Sequence, residues 1–346
     1  MNKFVYSALA ATLVSTSGFA SETEWNELDR ELDAMSATLA TENGGPTLGG
    51  WVMTNWLYSG DDAYSPMHNS DLSAFWFQSI RLNVDGATAD YGYHVSLEGM
   101  EFGVFAVSIY EAYGTFNLGE YVMGTMGQFK IPFLRSGLLN QNRLMFTDRS
   151  RIATNSMMPF ALPTTEPGLM FSGNFEMVDW ALAGQNGSDT IGDEYRFTGR
   201  LNFDLMGDGA GHYLEGAYNA SDGLNWSAAI AYTDDGFLND GARIGVDTYL
   251  TTGPFSAWAE VVDNDVDVGD STPWDIAASY AFTDQWEVGI RYEDWDDLAS
   301  SSDITIGVNR YISGHDVKWQ LDWRSTSSDL TAQEGDLITL GLVVSF

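Results

Sequence analysis

From Leu48 onward, apolar and polar side chains alternate along the chain with a period of two. Segments 194–205, 224–232 and 317–324 show the pattern most clearly. The side chains of the last segment divide into two sets, Val317, Trp319, Leu321 and Trp323 against Lys318, Gln320, Asp322 and Arg324. Successive side chains of a β-strand point to opposite faces, so this period predicts strands with one apolar face and one polar face.

Sixteen segments of this kind are bounded by turn residues, which predicts sixteen strands. They are 48–57, 73–85, 90–101, 105–118, 121–131, 167–174, 177–185, 194–206, 223–233, 241–251, 254–263, 273–283, 286–294, 303–312, 316–326 and 337–346. Short and long connections alternate, as expected of an antiparallel barrel with turns at one end and loops at the other. Residues 211–220 fit either one more strand or an extended turn, and the even strand number of bacterial barrels favours the turn.

The apolar faces could form the core of a soluble sandwich or contact lipid, because both arrangements have the same period. Two features favour lipid. The segment 337–346 would be an apolar edge strand ending on an aromatic residue, and only closure of a barrel would remove that edge. Residues 1–20 contain Lys3, an apolar stretch and small residues before Ala20, which is typical of a cleaved secretory signal peptide.

We therefore predict an all-β fold in which residues 44–346 form a transmembrane antiparallel β-barrel in the outer membrane of a Gram-negative bacterium, surrounded by lipid and lipopolysaccharide. Such barrels carry aromatic girdles at both membrane interfaces. The candidates for these girdles lie near strand ends and are Trp51, Trp56, Tyr91, Trp274, Trp286 and Trp295.

Residues 21–43 have a different period. Their apolar residues repeat at spacings of three and four, namely Trp25, Leu28, Leu32, Met35 and Leu39. This heptad pattern predicts a short amphipathic helix on the periplasmic side of the barrel. Two interpretations fit equally: a short coiled coil that supports a homotrimer, and a single helix lying on the barrel rim.

Composition narrows the function. The chain has no cysteine, which excludes disulfides and thiolate metal sites. With 15 basic and 49 acidic residues, its net charge is −34, which argues against nucleic acid as a partner. Asp263, Asp265, Asp267 and Asp270 resemble a calcium loop but lack its glycine and its closing glutamate. No metal, cofactor or catalytic grouping is predicted, so we expect no enzyme.

The longest connection, residues 132–166, concentrates positive charge in an acidic chain. Its basic residues, together with the lysine that ends the preceding strand, are Lys130, Arg135, Arg143, Arg149 and Arg151. Loops of this length are usually functional. Folded into the barrel, this loop would narrow the lumen and place charges that attract anions at the constriction.

Alternatively, the arginines pair with carboxylates of the barrel wall and only hold the loop in place. The carboxylates that alternation directs inward are Asp85, Glu98, Asp204, Asp247, Asp275, Glu287 and Asp322. We expect both roles, with Arg149 and Arg151 fixing the loop and Lys130 facing the pore. Strict alternation puts Lys130 on the lumen side of its strand with Val122, Gly124, Met126 and Gln128. The other bases that it directs to the lumen are Arg81, Arg196, Arg200, Arg243, Arg291, Lys318 and Arg324.

Two short blocks carry a family resemblance. Residues 127–133 read Gly-Gln-Phe-Lys-Ile-Pro-Phe, and residues 144–150 read Leu-Met-Phe-Thr-Asp-Arg-Ser. In this order and spacing they resemble the phosphate-selective porin O and P family. The resemblance implies a sixteen-stranded trimeric barrel with an inward-folded third loop, in which Lys130 and Arg149 match motif positions. Phosphate-selective members also have a ring of lysines, whereas residues 21–346 contain only Lys130 and Lys318.

The expected function is passive diffusion of ions and small hydrophilic solutes, with anions, phosphate among them, favoured at a basic constriction. A general or cation-preferring porin governed by acidic extracellular loops is the first alternative. An outer-membrane enzyme or adhesin with a plugged barrel is the second.

Overall fold

The computed structural model describes residues 45–60, 71–88, 90–101, 105–119, 121–154, 164–187, 195–207, 214–220, 223–235, 241–266, 269–330 and 334–346. The predicted signal peptide, residues 1–20, and the predicted helix, residues 21–43, lie outside this part of the chain.

Sixteen antiparallel strands form one closed barrel, and each strand pairs with its neighbours in the sequence. They are β1 (Thr47–Ser59), β2 (Leu72–Ala87), β3 (Tyr91–Glu101), β4 (Phe105–Asn117), β5 (Met123–Lys130), β6 (Thr165–Phe175), β7 (Val178–Gln185), β8 (Arg196–Met206), β9 (Leu224–Asp235), β10 (Gly241–Thr252), β11 (Phe255–Val266), β12 (Trp274–Thr283), β13 (Trp286–Asp294), β14 (Ser302–Ser313), β15 (Val317–Ser327) and β16 (Gly335–Ser345). The predicted fold class is confirmed, with strand boundaries displaced by only a few residues.

Pairing of β1 with β16 closes the barrel. The register places Trp51 opposite Ser345 and Tyr58 opposite Ile338. Beyond the end of β16, Phe346 and Gly50 exchange two backbone hydrogen bonds of 3.0 Å. The apolar terminal strand therefore has no free edge, since both sides of its backbone are paired.

The two faces of the sheet are inverted relative to a soluble protein. On β15, the outward side chains of Trp319, Leu321 and Trp323 are 40%, 47% and 38% exposed. Lys318 and Gln320 on the opposite face are fully buried. The alternation predicted from the sequence is thus confirmed, with the apolar side chains outside and the polar ones inside.

The connections define two ends of the barrel. The turn end carries the connections that follow even-numbered strands, and the loop end carries those that follow odd-numbered strands. At the turn end, Gly253 and Gly314 adopt φ values of +53°, which a residue without a Cβ adopts freely. Residues 214–220, between β8 and β9, contain no strand, so the predicted extended turn is confirmed for this stretch.

The helices of the described residues lie between β5 and β6. They are α1 (Arg135–Leu138), a 3₁₀ turn (Gln141–Arg143) and α2 (Arg151–Thr154). Among the described residues, no helix has the length and apolar character needed to cross a membrane.

A charge placed on the outer face should destabilise the barrel. Leu321→Arg puts a guanidinium where 47% of an apolar side chain faces outward, and we expect a loss of about 2–4 kcal/mol in a bilayer. Urea unfolding in lipid vesicles measures it, with Leu321→Val as the control, expected to cost under about 1.5 kcal/mol. Equal stability of the two variants would contradict contact between this face and lipid.

Candidate functional site

The connection between β5 and β6, residues 131–164, is here called the constriction loop, and its described residues fold into the barrel. Four of its apolar side chains, Leu139, Leu144, Met145 and Phe146, are completely buried. The Phe146 ring lies 6.2 Å from the ring of Trp258 on β11. The predicted inward fold is therefore observed, and apolar packing against the wall is one of its causes.

Carboxylates on the inner wall hold the backbone of this loop. Asp247 accepts the N–H of Arg135 at 3.2 Å, and Asp322 accepts the N–H of Thr147 at 2.6 Å. Glu293 accepts the N–H of Arg151 at 2.7 Å. Hydrogen bonds from buried N–H groups to carboxylates are charge-assisted and strong, so the loop is fixed by its main chain.

Side-chain hydroxyls of the loop add to these contacts. Ser136 donates its hydroxyl and its N–H to Glu260. Ser150 donates its hydroxyl to Asp275 on the neighbouring strand. The carboxylates thus form a row that crosses β10 to β15 and follows the path of the loop.

The same wall satisfies the carbonyl groups of the loop. Lys318 donates to the carbonyl oxygen of Leu144, and Asn309 donates to that of Met145 at 2.7 Å. Gln320 donates to both of these carbonyls, at 3.2 and 3.0 Å. Buried backbone carbonyl groups need hydrogen-bond donors, and the side chains of the wall supply them to the loop.

Two of the predicted site residues stabilise the loop internally. Arg149 donates to the carbonyl oxygens of Ser136 and Leu139, the latter at 2.8 Å. The ammonium of Lys130 lies 2.9 Å from the carbonyl oxygen of Leu138 and 2.7 Å from Oδ1 of Asn140. Burial lowers the pKa of Arg149 from its ordinary value, because a buried guanidinium loses hydration. Both cations therefore satisfy carbonyl groups around the end of α1.

Arg151 and Arg135 contact the wall. The Arg151 guanidinium is 3.3 Å from Asp303 and lies 4.3 Å from the ring centre of Trp295. Arg135 lies 3.9 Å above the ring centre of Tyr249. Arg151 thus contacts a wall carboxylate, whereas Arg149 contacts loop carbonyls, and the fixing role of the two arginines stays a prediction.

Arg143, the remaining predicted loop residue, is half-buried. Its carbonyl oxygen accepts the N–H of Glu215 at 3.2 Å. The connection between β8 and β9 thus contacts the constriction loop from the turn end.

The other seven predicted bases all lie inside the barrel: Arg81, Arg196, Arg200, Arg243, Arg291, Lys318 and Arg324. Most of them have carboxylate partners. Arg81 pairs with Glu98 at 2.9 Å and Arg200 with Asp247 at 2.6 Å. These ion pairs compensate charges that would otherwise be costly to bury.

The wall carboxylates were only partly predictable. Asp247, Asp275 and Asp322 belong to the predicted set, but they hold loop N–H and hydroxyl groups rather than loop guanidinium groups. Three further wall carboxylates that contact the loop were not predicted from the sequence. They are Glu260, Glu293 and Asp303. The alternation of β11, β13 and β14 directs them inward and was the signal that could have found them.

On β5, strict alternation is wrong by one residue. Met126 was expected inside, but its side chain is 67% exposed. Met123, Thr125 and Phe129 line the interior instead. Lys130 reaches the interior because the strand ends there and its ammonium bonds to the inserted loop.

The predicted girdle also needs two corrections. Trp51 and Trp295 are 3% and 4% exposed. Trp51 donates its ring N–H to Ser79 at 3.0 Å inside the barrel, and Trp295 stacks against Arg151. Tyr91, Trp274 and Trp286 are exposed on the outside, as predicted. Proximity to a strand end therefore does not specify which face a tryptophan occupies.

A cavity of about 640 Å³ remains between the constriction loop and the strands β1 to β8. Its charged lining consists of Arg81, Lys130, Arg135, Arg200, Glu111 and Asp179, and His94 also lines it. Trp51, Tyr113 and Phe129 supply aromatic surface. The interior is therefore asymmetric, with a polar cavity on one side and a packed loop on the other.

No protein-family model matches the chain, and no curated protein is similar to it in sequence. Solved porins share its fold. A mutant porin from Rh. blastica has a TM-score of 0.62 at 16% identity, covering 87% of this chain and 100% of that one. Salmonella typhi OmpF with daunomycin has a TM-score of 0.62 at 11% identity, covering 87% of this chain and 97% of that one.

An anion-selective porin from Comamonas acidovorans has a TM-score of 0.61 at 14% identity, covering 87% of this chain and 99% of the porin. At such identities the likeness establishes a common barrel fold. The more specific resemblance to the phosphate-selective porin O and P family stays a prediction.

Removing one wall carboxylate should loosen the loop. Asp322→Ala leaves the buried N–H and hydroxyl of Thr147 without their acceptor, which should cost about 1–3 kcal/mol. Asp322→Asn keeps an acceptor and should cost less. Amide hydrogen exchange of the loop and urea unfolding measure the effect, with the exposed Asp329→Ala as control. Unchanged exchange at Thr147 in Asp322→Ala would show that the carboxylate does not hold the loop.

Proposed function

We propose that the protein is an outer-membrane channel through which ions and small hydrophilic solutes diffuse passively, with anions favoured at Lys130. One observation carries the anion preference. The hydrogen-bond partners of the Lys130 ammonium among the described residues are neutral oxygens, those of Leu138, Leu139 and Asn140. Its positive charge therefore reaches the cavity without a carboxylate in contact.

The surroundings of Lys130 support this preference. Among the charges that act on Lys130, Glu111 acts most strongly, and the two cations Arg149 and Arg81 oppose it, so cations outnumber the carboxylate in this group of three. Arg81 is already paired with Glu98, so part of its charge is compensated. In a narrow cavity with low-dielectric walls, the excess charge acts on a passing ion far more strongly than a surface charge does.

The outer face supports a membrane location. A belt of exposed apolar and aromatic side chains surrounds a polar interior, an arrangement that is stable in lipid and aggregation-prone in water. Export through the predicted signal peptide would deliver the chain to the outer membrane. Assembly as a homotrimer agrees with the family resemblance, and cross-linking in native membranes tests it.

A general or cation-preferring channel is the alternative, and exposed carboxylates at the loop end favour it. Asp263, Asp265, Asp270 and Asp296 are exposed there. Charges in water act over a Debye length of roughly 8–10 Å near physiological salt. This preference would therefore fade as salt is raised, whereas the preference set at Lys130 would persist.

Reversal potentials across planar bilayers in a salt gradient test the proposal. We expect a wild-type anion preference that is weakened in Lys130→Gln, which keeps donors for the loop carbonyls, and reversed in Lys130→Glu. Arg310→Glu is the control, because it makes the same charge change on an exposed residue beside Trp286, outside the cavity.

A wild-type preference for cations that Lys130→Glu leaves unchanged would defeat the anion claim. The absence of any conductance would favour a plugged enzyme or adhesin. Phosphate is tested separately: a channel that selects phosphate should show chloride currents that fall on phosphate addition.

A further inference from the structure

Residues 214–220, here called the turn-end segment, fold into the barrel from the turn end. Glu215 and Ala217 are 1% and 2% exposed. Other connections at this end are short, as between β10 and β11, where Gly253 and Pro254 alone join the strands. An inward fold of a turn-end connection is therefore a special feature of this barrel.

The turn-end segment is bonded to the constriction loop at three points. The N–H of Glu215 donates to the carbonyl oxygen of Arg143 at 3.2 Å. The carboxylate of Glu215 accepts the N–H of Met145 at 2.9 Å. Arg135 donates to the carbonyl oxygen of Leu214. Two segments that enter from opposite ends thus meet inside the barrel.

The segment is also fixed to the wall. Ala217 donates its N–H to Glu287, and Tyr249 donates its hydroxyl to the carbonyl oxygen of Gly216. Gly216 has a φ of +95°, and a Cβ on it would lie 2.6 Å from Oε1 of Glu287. A Cβ here would force Glu287 or the segment to move, and the positive φ is strained for any residue other than glycine.

Aromatic stacking completes the attachment near the turn end. The ring of Tyr218 lies 3.6 Å from that of Tyr311, with an angle of 14° between the planes. His315 packs edge-on at 5.4 Å from Tyr218. Burial lowers the pKa of His315 well below its ordinary value, and the nearby charges of Lys318 and Arg143 act in the same direction. The imidazole of His315 is therefore uncharged at neutral pH.

The cavity of about 640 Å³ described above lies on the other side of the barrel. Each residue that lines it belongs to β1–β8 or to the constriction loop. The inward side chains that contact these two segments are buried, as shown by Asp247 at 3%, Glu287 at 0% and Asn309 at 0% exposure. The described residues of the loop and of the turn-end segment bond mainly to strands β10–β15.

We propose that the turn-end segment is a second constriction element, which braces the constriction loop through Glu215 and confines passage to the β1–β8 half of the lumen. This inference rests on the proposed channel function. The carboxylate of Glu215 also lies within electrostatic range of Arg149, Arg291 and Lys318. Its removal leaves Met145 without an acceptor and three cations with less compensation, so the contact between the two segments should open.

Two variants test the effect on passage. Gly216→Val displaces the segment sterically, and Glu215→Ala removes its contact with the loop. We expect the single-channel conductance to rise, because the space that the displaced segment vacates admits water while the wall carboxylates still hold the constriction loop. Vesicles containing these variants should also admit larger sugars. Asn219→Gly is the control, because Asn219 is exposed in the same segment and a glycine accepts its φ of +60°.

Wild-type conductance and sugar cut-off in both folded variants would overturn the proposal. Heat-modifiable migration in gels verifies that a variant is folded.

Cysteine accessibility gives a second measurement that needs no conductance. The native chain lacks cysteine, so single cysteines are unambiguous reporters. In the folded protein, Ala217→Cys should be protected from a small hydrophilic thiol reagent. Ser172→Cys, on the cavity wall, should react quickly. Adding Gly216→Val should make position 217 reactive.

Equal reaction rates at positions 217 and 172 in the otherwise native chain would overturn the inference. A wild-type protein without conductance would instead defeat the proposed function, and the accessibility result would still decide whether the segment closes this half of the barrel.

Discussion

The row of carboxylates on the inner wall of β10–β15 is the interaction on which the interior depends. These side chains cannot face lipid, and inside the barrel they would be costly to bury alone. The constriction loop provides what they need, because its N–H and hydroxyl groups point at them. The described part of the loop contains only single helical turns, so most of its backbone groups need partners from the wall. Wall and loop therefore require each other, and a loop held in this way has a defined position.

This mutual satisfaction explains why the lumen is asymmetric. The wall carboxylates that contact the loop lie on strands β10–β15, so the loop packs mainly there and leaves a cavity against β1–β8. Glu215 extends the same principle to the opposite end, since a buried carboxylate again accepts a loop N–H. The open cavity is thus defined by where the backbone of the inserted segments finds acceptors.

The basic residues in and beside the loop differ in role according to the groups that they contact, not according to their position in the sequence. Arg149 bonds to carbonyls of the loop and Arg151 to a wall carboxylate and an indole, so both hold structure. Lys130 also bonds to carbonyls, but it does so at the cavity wall. A guanidinium with several donors is suited to fixing a loop, whereas the compact ammonium of Lys130 places a point charge at the cavity wall.

The number of strands, their order, their two faces and the existence of an inserted basic loop could all be predicted from the sequence alone. These properties follow from local periodicity and from the requirement that lipid-facing positions carry no charge, as the segment 317–324 illustrates. The hydrogen-bond and ion-pair partners of the inward side chains, in contrast, depend on the three-dimensional arrangement of the strands and the loop. The side chains of Asp303 and Arg151 are far apart in the chain and pair because β14 passes beside the loop. The inward fold of Glu215 and the one-residue offset on β5 likewise depend on contacts between distant segments, which no local pattern records.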